Sequence, residues 1–370
     1  MMQVLEKENV LLKKCRDFME EGRKLYIFGS GLAGSFFYDV LQLHQVSVDG
    51  FCVDPEYFKP DTACCSLPVY SVEALIAGAG IQNKIAIVIA FMGNRRHEWT
   101  SNENAEIVDL DFWSLGSICN YKENLMDGRF IEGNADVLGR LYDCLADDKS
   151  RQCMTAFLNQ RISGKFGYLE PLAGGTPYYE QELYDLSRIS CMIDCGAFDG
   201  DSYREFCGCY ELAAGKPYKG RAFLLEPDKN NFQKIVRGLS GCHGAVPLNI
   251  GVWDKKDVLF FQEAEMSGSI VENGSISVNA DSIDNVTSDL RGEVDLIKMD
   301  IEGSELKALK GAEAVIRKYH PVLAVCVYHK KEDLLEIPQY IKSLYPGYKL
   351  YLRAYSKYCQ ELVLYAVVRS

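Results

Sequence analysis

The run Ile193-Asp194-Cys195-Gly196-Ala197-Phe198-Asp199-Gly200-Asp201-Ser202 carries the residue types that a cationic nucleoside needs. The acid Asp194 closes a short apolar stretch, and Gly196 and Gly200 follow it. Glycines at that spacing open a strand into a tight turn and keep its mouth clear of side chains, so that backbone can approach a flat ligand. Asp194 and Asp199 can balance cationic groups, with Ala197 and Ser202 in the same turn. A second acid, Glu226, ends the next apolar run, Arg221–Pro227, where a carboxylate can accept two ribose hydroxyls. One acid after the first strand and one after the second is the layout expected for S-adenosylmethionine (SAM).

A second constellation lies further on. Asp300 and Glu302 alternate at the end of the run Asp295–Asp300, just ahead of a helix start. Enzymes that methylate amines of nucleobases usually place a Pro-Pro-aromatic tetrapeptide here. Acids instead favour an acceptor bearing hydroxyls, because a carboxylate can take a proton from a hydroxyl or hydrogen-bond a polyol. Glu305 is read as a charge favouring the helix N-terminus. His329 ends the run Val325–Lys330 and faces the same cleft, where a neutral imidazole can act as a base. His44, His97, His243 and His320 have no comparable placement. Two carboxylates are weak evidence for a divalent metal.

The elements that must position these groups follow from pattern. From residue 189 to the end, strands are expected at Cys191–Asp194, Arg221–Pro227, Ala245–Trp253, Val294–Asp300, Pro321–His329, Tyr348–Tyr355 and Glu361–Val368. An extra pair, Val258–Gln262 and Ser275–Asn279, is inserted. The loop before Glu361 is too short for a parallel crossover, so the last two strands must be antiparallel. A helix is expected over Ser304–Tyr319, with Glu305 in its first turn and Arg317 and Lys318 in its last. The fold class is therefore α/β: a seven-stranded, mostly parallel class I methyltransferase sheet ending in an antiparallel strand.

Upstream, Lys24–Phe28, Val48–Asp54 and Lys84–Phe91 read as strands of a small Rossmann-like unit. The expected organisation is a Rossmann-like domain over 1–116, a helical connector over 117–186 and a methyltransferase domain over 187–370. Met1–Gly22 reads as an amphipathic helix rather than an export signal.

Composition narrows the partners. At 370 residues, 48% hydrophobic and 25% charged, the chain is ordinary for a soluble protein. A net charge of −12 with no long basic run argues against nucleic acid as a partner. No apolar run approaches the roughly 20 residues needed to span a bilayer. The 14 cysteines, several within apolar runs, fit a reducing cytoplasm better than a disulfide framework.

Taken together, the C-terminal half resembles the FkbM family of SAM-dependent methyltransferases. The residues that carry the resemblance are Ile193–Ser202, Leu225–Pro227, Asn249–Gly251, Ala280–Ile283, Ile297–Glu305, Leu309–Ala312, Tyr328–His329 and Leu364–Ala366. The resemblance implies O-methylation, chiefly of sugars and polyketide-type natural products. By it, Asp194, Gly196, Gly200, Glu226 and the turn Asn249–Gly251 would contact SAM, and Asp300, Glu302 and His329 would line the substrate side. Two departures stand out. Phe198 sits where asparagine is frequent, and Ala354 where relatives often carry histidine. The segments Cys144–Ser150 and Asn159–Gly164 resemble the helical lead-in of bacterial relatives, which could cap the cleft.

Gly29-x-Gly31-x-x-Gly34, with Asp54 ending the following strand, fits the dinucleotide fingerprint as text. This keeps two alternatives in view: an NAD-dependent sugar oxidoreductase or epimerase, and a non-catalytic nucleotide-sugar-binding protein. The main expectation is a cytoplasmic enzyme that moves the SAM methyl to a hydroxyl of a small-molecule or glycan acceptor.

Overall fold

The computed structural model describes residues 3–91, 102–116, 125–239, 244–262, 269–271, 276–290 and 292–368. His97, His243 and Ser275 lie outside the described residues. The chain divides into two compact units.

The first comprises Gln3–Gly133 and Ala156–Glu170. Its strands are β1 (Leu25–Phe28), β2 (Gly50–Val53), β3 (Ala63–Cys64), β4 (Leu67–Ser71), β5 (Ile85–Ile89) and β6 (Ala105–Val108). They form a sheet of order β3-β4-β2-β1-β5-β6, parallel except for the β3–β4 pair. β1, β2 and β5 are buried at every position, as uninterrupted apolar runs in a parallel sheet should be. The expected first helix is shorter than read and spans Val10–Glu20, capped by the Asn9 side chain on Leu12 N. After β1 the chain turns at Gly29 into the helix Leu32–Leu43. Gly34 sits so close to the turn that a Cβ would lie 1.9 Å from the Gly29 carbonyl oxygen.

The second unit takes Asn134–Thr155 and Pro171–Ser370. Its strands are β7 (Cys191–Cys195), β8 (Arg221–Leu225), β9 (Ala245–Leu248), β10 (Gly251–Val252), β11 (Asp257–Gln262), β12 (Ser269–Val271), β13 (Ile276–Asp281), β14 (Leu296–Met299), β15 (Val322–Cys326), β16 (Lys349–Ala354) and β17 (Leu362–Val367). Seven of them form one sheet of order β16-β17-β15-β14-β7-β8-β9. Every neighbour is parallel except β17, which is antiparallel to both β15 and β16. The strand order reverses between β7 and β14, so the crevice for a ligand opens at their carboxyl ends. One edge strand, β9, carries Pro247 opposite Leu224. The other, β16, is flanked by Leu145, which bridges Leu350, and Ala146 N donates to the Leu350 carbonyl.

Two expected elements are divided. Ala245–Trp253 is not one strand: the chain leaves the seven-stranded sheet after Leu248 and starts a second, four-stranded sheet of order β10-β13-β11-β12 at Gly251. The inserted strands belong to that second sheet. The helix Ser304–Tyr319 is two, Glu305–Lys310 and Glu313–Tyr319. Gly311 breaks it where the backbone passes Trp253, whose carbonyl oxygen would stand 2.0 Å from a Cβ there. The helical stretch holds Gly128–Gly133, Ala135–Cys144 and Asp148–Ser163, and the chain after Ser163 is irregular up to the short turn Leu186–Arg188. Among the described residues no disulfide forms, and no helix is long and apolar enough to cross a membrane.

Candidate active site

At the carboxyl end of β7 the turn is tight because its backbone is pinned from both sides. Gly196 N and Ala197 N both donate to the Leu225 carbonyl, at 3.0 and 3.1 Å. Gly196 has φ +77°, and a Cβ there would lie 1.9 Å from the Asp300 carbonyl oxygen. Only glycine fits. Gly200, at φ +87°, starts the helix Asp201–Ala214. Phe198 adopts φ +47°, a left-handed conformation that suits asparagine better than phenylalanine. Its ring is 40% exposed, with Lys234 Nζ 5.4 Å from the centroid.

The expected cofactor residues divide by where they point. Glu226 is buried at the β8 end; its Oε2 accepts from Phe198 N at 2.9 Å and its Oε1 from Asp228 N at 2.8 Å. Burial is the main cause that pushes its pKa up to about 7, against the two backbone donors. Asn249 closes the same edge, donating from Nδ2 to the Glu226 and Pro227 carbonyls at 2.8 and 3.0 Å. Gly251 is buried and pairs with Ala280 in the second sheet. Asp199 pairs with Arg204 at 2.7 Å. Asp194 is 0% exposed and turns inward: Lys298 Nζ stands 3.0 Å from its Oδ1, and Ser202 Oγ donates to its Oδ2 at 2.5 Å.

Lys298 was not singled out by the sequence reading. It faces Asp194 across the β7–β14 register, is 3% exposed, and donates to the Gly196 carbonyl at 2.7 Å. Burial opposes its charge, but Asp194 and Asp300 outweigh it and hold its pKa above the usual lysine range. A lysine inside the apolar strand Leu296–Met299 was the available signal, since a buried ammonium requires a partner.

The expected substrate-side residues do come together. His329, 2% exposed after β15, has Nε2 3.4 Å from Asp300 Oδ1 and 3.5 Å from Glu302 Oε2. Its Nδ1 lies 2.9 Å from Oε1 of Glu305, which is 0% exposed. Glu305 Oε1 also accepts from Ile301 N at 3.0 Å. So Glu305 does more than favour a helix terminus: it fixes the imidazole. Burial disfavours charge on His329, yet Glu305 and Glu302 overcome it and push the pKa up to about 10. Asp300 is opposed by burial too, but His329, Lys298 and the Tyr178 hydroxyl hold it below the usual carboxylate range.

Two tyrosines join this cluster: Tyr178, not singled out in the sequence, and Tyr328, noted there only beside His329. Tyr178 Oη donates to Asp300 Oδ2 at 2.7 Å, and Tyr328 Oη donates to Asp300 Oδ1 at 3.4 Å. Tyr178 belongs to the irregular segment before β7, which Tyr179 fastens by donating to the Ser202 carbonyl at 2.8 Å. Aromatic packing of Tyr179 on Phe206, with centroids 5.4 Å apart, adds to that anchor. A hollow at the opposite, amino end of the strands is lined by Asp185, Asp295, His320 and Tyr351, and contains none of these residues.

A glycine turn and acid at the ends of adjacent parallel strands, in this strand order, define a class I SAM-dependent methyltransferase fold. Residues 194–350 match the model of the methyltransferase FkbM domain. The fold is similar to that of a solved methyltransferase FkbM from Methylobacillus flagellatus KT, at 21% identity and a TM-score of 0.76, over 98% of this chain and 94% of that one. Partial likenesses include a SAM-dependent methyltransferase from Aquifex aeolicus (15% identity, TM-score 0.31, 54% of this chain and 92% of that one). Another is Aeropyrum pernix fibrillarin in complex with natively bound SAM (10% identity, TM-score 0.30, 50% and 69%). No curated protein matches the chain.

Proposed function

We propose that the domain methylates the oxygen of a hydroxyl on a sugar, a glycan precursor or a related natural product. The observation that carries this is the pairing of two sites on one strand edge. Gly196, Gly200 and Glu226 sit at the ends of β7 and β8, and Asp300, Glu302 and His329 at the adjoining ends of β14 and β15.

SAM, when bound, supplies an electrophilic methyl on a sulfonium that departs as a neutral thioether. On the cofactor side Glu226 is held by two backbone donors so that its remaining lone pairs face ribose hydroxyls, with Asn249 bracing the strand end. Asp194 is an anchor in this reading: it pairs with Lys298, which in turn holds the Gly196 carbonyl. The turn therefore meets SAM through its backbone. On the acceptor side a hydroxyl bound between Asp300 and Glu302 donates its hydrogen to a carboxylate as the oxygen gains the methyl. Tyr178 holds the other oxygen of Asp300, which orients the lone pair that receives the proton.

Calorimetric titration with S-adenosylhomocysteine tests the cofactor half. Binding is expected, weakened roughly 10–100-fold in Glu226→Gln, as for a lost hydrogen bond to a charged group. Absence of binding, or binding indifferent to that change, overturns the reading. Transfer of labelled methyl from SAM across a panel of sugars and lipid- or nucleotide-linked glycans tests the acceptor half; labelled product on amines alone refutes it.

A further inference from the structure

We propose that His329 is a positioning residue: an imidazolium, held by Glu305, that keeps the carboxylates of Asp300 and Glu302 aligned on the acceptor hydroxyl and takes no proton itself. The proposal rests on the reading of this strand edge as the acceptor side of a methyltransferase. It replaces the neutral base expected from the sequence.

The first argument is what faces each ring nitrogen. Nδ1 lies 2.9 Å from Glu305 Oε1, and Nε2 lies 3.4 Å from Asp300 Oδ1 and 3.5 Å from Glu302 Oε2. Asp300 accepts on both of its oxygens, from the Tyr178 and Tyr328 hydroxyls, as an ionised carboxylate does. Glu305 Oε1 accepts from Ile301 N, so it meets Nδ1 as an acceptor too. Opposite an oxygen that only accepts, the hydrogen must sit on the nitrogen. A neutral imidazole has one such hydrogen and would set its lone pair against a carboxylate oxygen. An imidazolium has one for each side.

The second argument is the charge on the elements packed around the ring. Asp300 and Glu302 come from the turn after β14, Glu305 from the helix Glu305–Lys310 and Asp333 from the helix Asp333–Leu344. Burial and Glu305 raise the pKa of Asp333, with His329 working against them. The Tyr328 ring lies beside the imidazole, its centroid 4.0 Å away. Of the nearby cations, Lys298 is engaged with Asp194 and the Gly196 carbonyl, and the stem of Lys330 lies over Gly303. Burial opposes charge on His329, but Glu305 and Glu302 outweigh it and push its pKa up to about 10. After burial, His329 is in turn the main influence on Asp300, which stays below the usual carboxylate range.

The third argument is the backbone at Glu302. It stands at φ +55°, a left-handed conformation uncommon for glutamate, and Gly303 follows at φ +92°. A residue held there persists only where its surroundings fix it, and the contact of Oε2 with His329 is one that does. In the transfer, the acceptor oxygen bonds the methyl carbon as the C–S bond breaks and its electron pair stays on sulfur. The O–H bond breaks, and the proton passes to Asp300 or Glu302 and then to water. The imidazolium keeps both of its hydrogens throughout. Its part is to fix the lone pairs that receive the proton.

The charge on the ring is read without any acceptor. Ring-nitrogen resonances of the full chain, labelled with 15N-histidine, are followed by NMR from about pH 5.5 to about 9. His329 is the signal, among five histidines, that is missing from His329→Gln. Both of its nitrogens should stay protonated to at least about pH 8.5, against a midpoint of about 6.5 for an ordinary histidine. Glu305→Gln and, at a partly exposed side chain, Glu302→Gln should each lower the midpoint by about one unit or more. A wild-type midpoint at or below about 7, or one indifferent to both substitutions, overturns the proposal. The positioning role is read from kcat at saturating SAM, on the sugar or glycan of the panel that takes up most label. His329→Gln should lower kcat about 10–100-fold and leave the shape of its pH profile unchanged. Unchanged kcat, or a wild-type acid limb near about pH 6.5 that His329→Gln removes, overturns that role. If nothing in the panel is methylated, the acceptor reading falls and the positioning role with it, while the titration still reports the charge. If S-adenosylhomocysteine does not bind, it is the cofactor reading that falls.

Discussion

The chain contains two glycine turns that look alike as text, and they differ in what surrounds them. Each follows the first strand of a parallel sheet and opens a helix: Gly29–Gly34 after β1, and Gly196–Gly200 after β7. Each contains a glycine that side chains cannot replace, Gly34 against the Gly29 carbonyl and Gly196 against the Asp300 carbonyl. The second turn is built into a buried charged network of Asp194, Lys298 and Glu226, with Ser202 on Asp194. Among the described residues the first turn has no buried charge at its strand ends; the buried polar groups of that unit lie at 111–114 and 159–163. Glycines alone make a turn. Buried charge at the strand ends is what sets the second turn apart.

The largest expected effect comes from breaking that network. Lys298→Met leaves Asp194 buried without its cation, and thermal or urea denaturation should show a loss of about 3–5 kcal/mol. A loss under 1 kcal/mol would mean the pair does not organise the turn.

Next is a pH effect that separates the turns. Glu226 has its pKa raised from 4.5 to about 7 by burial, so its ionised form is unfavourable in the ligand-free fold. The sign follows: its contribution to stability falls as pH rises from about 4.5 to 7. Ribose hydroxyls need the ionised carboxylate, so S-adenosylhomocysteine affinity should fall up to about tenfold per unit below pH 7. Glu226→Gln should flatten that profile. A wild-type profile flat between pH 5 and 7.5 would contradict the assignment.

The smallest effects lie in the first turn. Gly34→Ala should cost about 1–3 kcal/mol, because the backbone must shift to admit the methyl. Gly31→Ala meets nothing within 4 Å and should change stability by less than about 0.5 kcal/mol. Neither should alter the affinity for S-adenosylhomocysteine by more than about twofold, since neither residue belongs to the turn proposed to hold it. A large loss from Gly31→Ala would show that the first turn shares the cofactor.

Sequence pattern made the seven-stranded sheet legible because its strands are short apolar runs, several of them ended by acids and glycines. The antiparallel final strand followed from loop length alone. Local breaks were harder to see. Gly311 interrupts a helix whose periodicity is continuous, since the cause is the Trp253 backbone far back in the chain. Asn249 turns the chain from one sheet into another inside what reads as one run of strand residues. The partners of the site were the least visible part. Asp194 and Glu226 are both acids at strand ends, yet one turns inward to Lys298 and the other stays at the rim with backbone donors. Which way each faces depends on the register of β7 against β14, and register is a tertiary fact. Tyr178, and the contact of Glu305 with His329 beyond its place at a helix N-terminus, were not legible for the same reason: each acts on a residue brought near only by the fold.

The two margins of the seven-stranded sheet bear on how this protein behaves in company. An outermost strand offers unpaired backbone groups to any passing chain, which invites aggregation. Pro247 has no N–H to offer on β9, so that margin makes a poor template for further strands. On the opposite margin, the Leu350 backbone of β16 is already taken up by Leu145 and Ala146. One side is blunted by a proline and the other is met at Leu350 by the chain itself, two devices that make either margin a poorer template for a further strand.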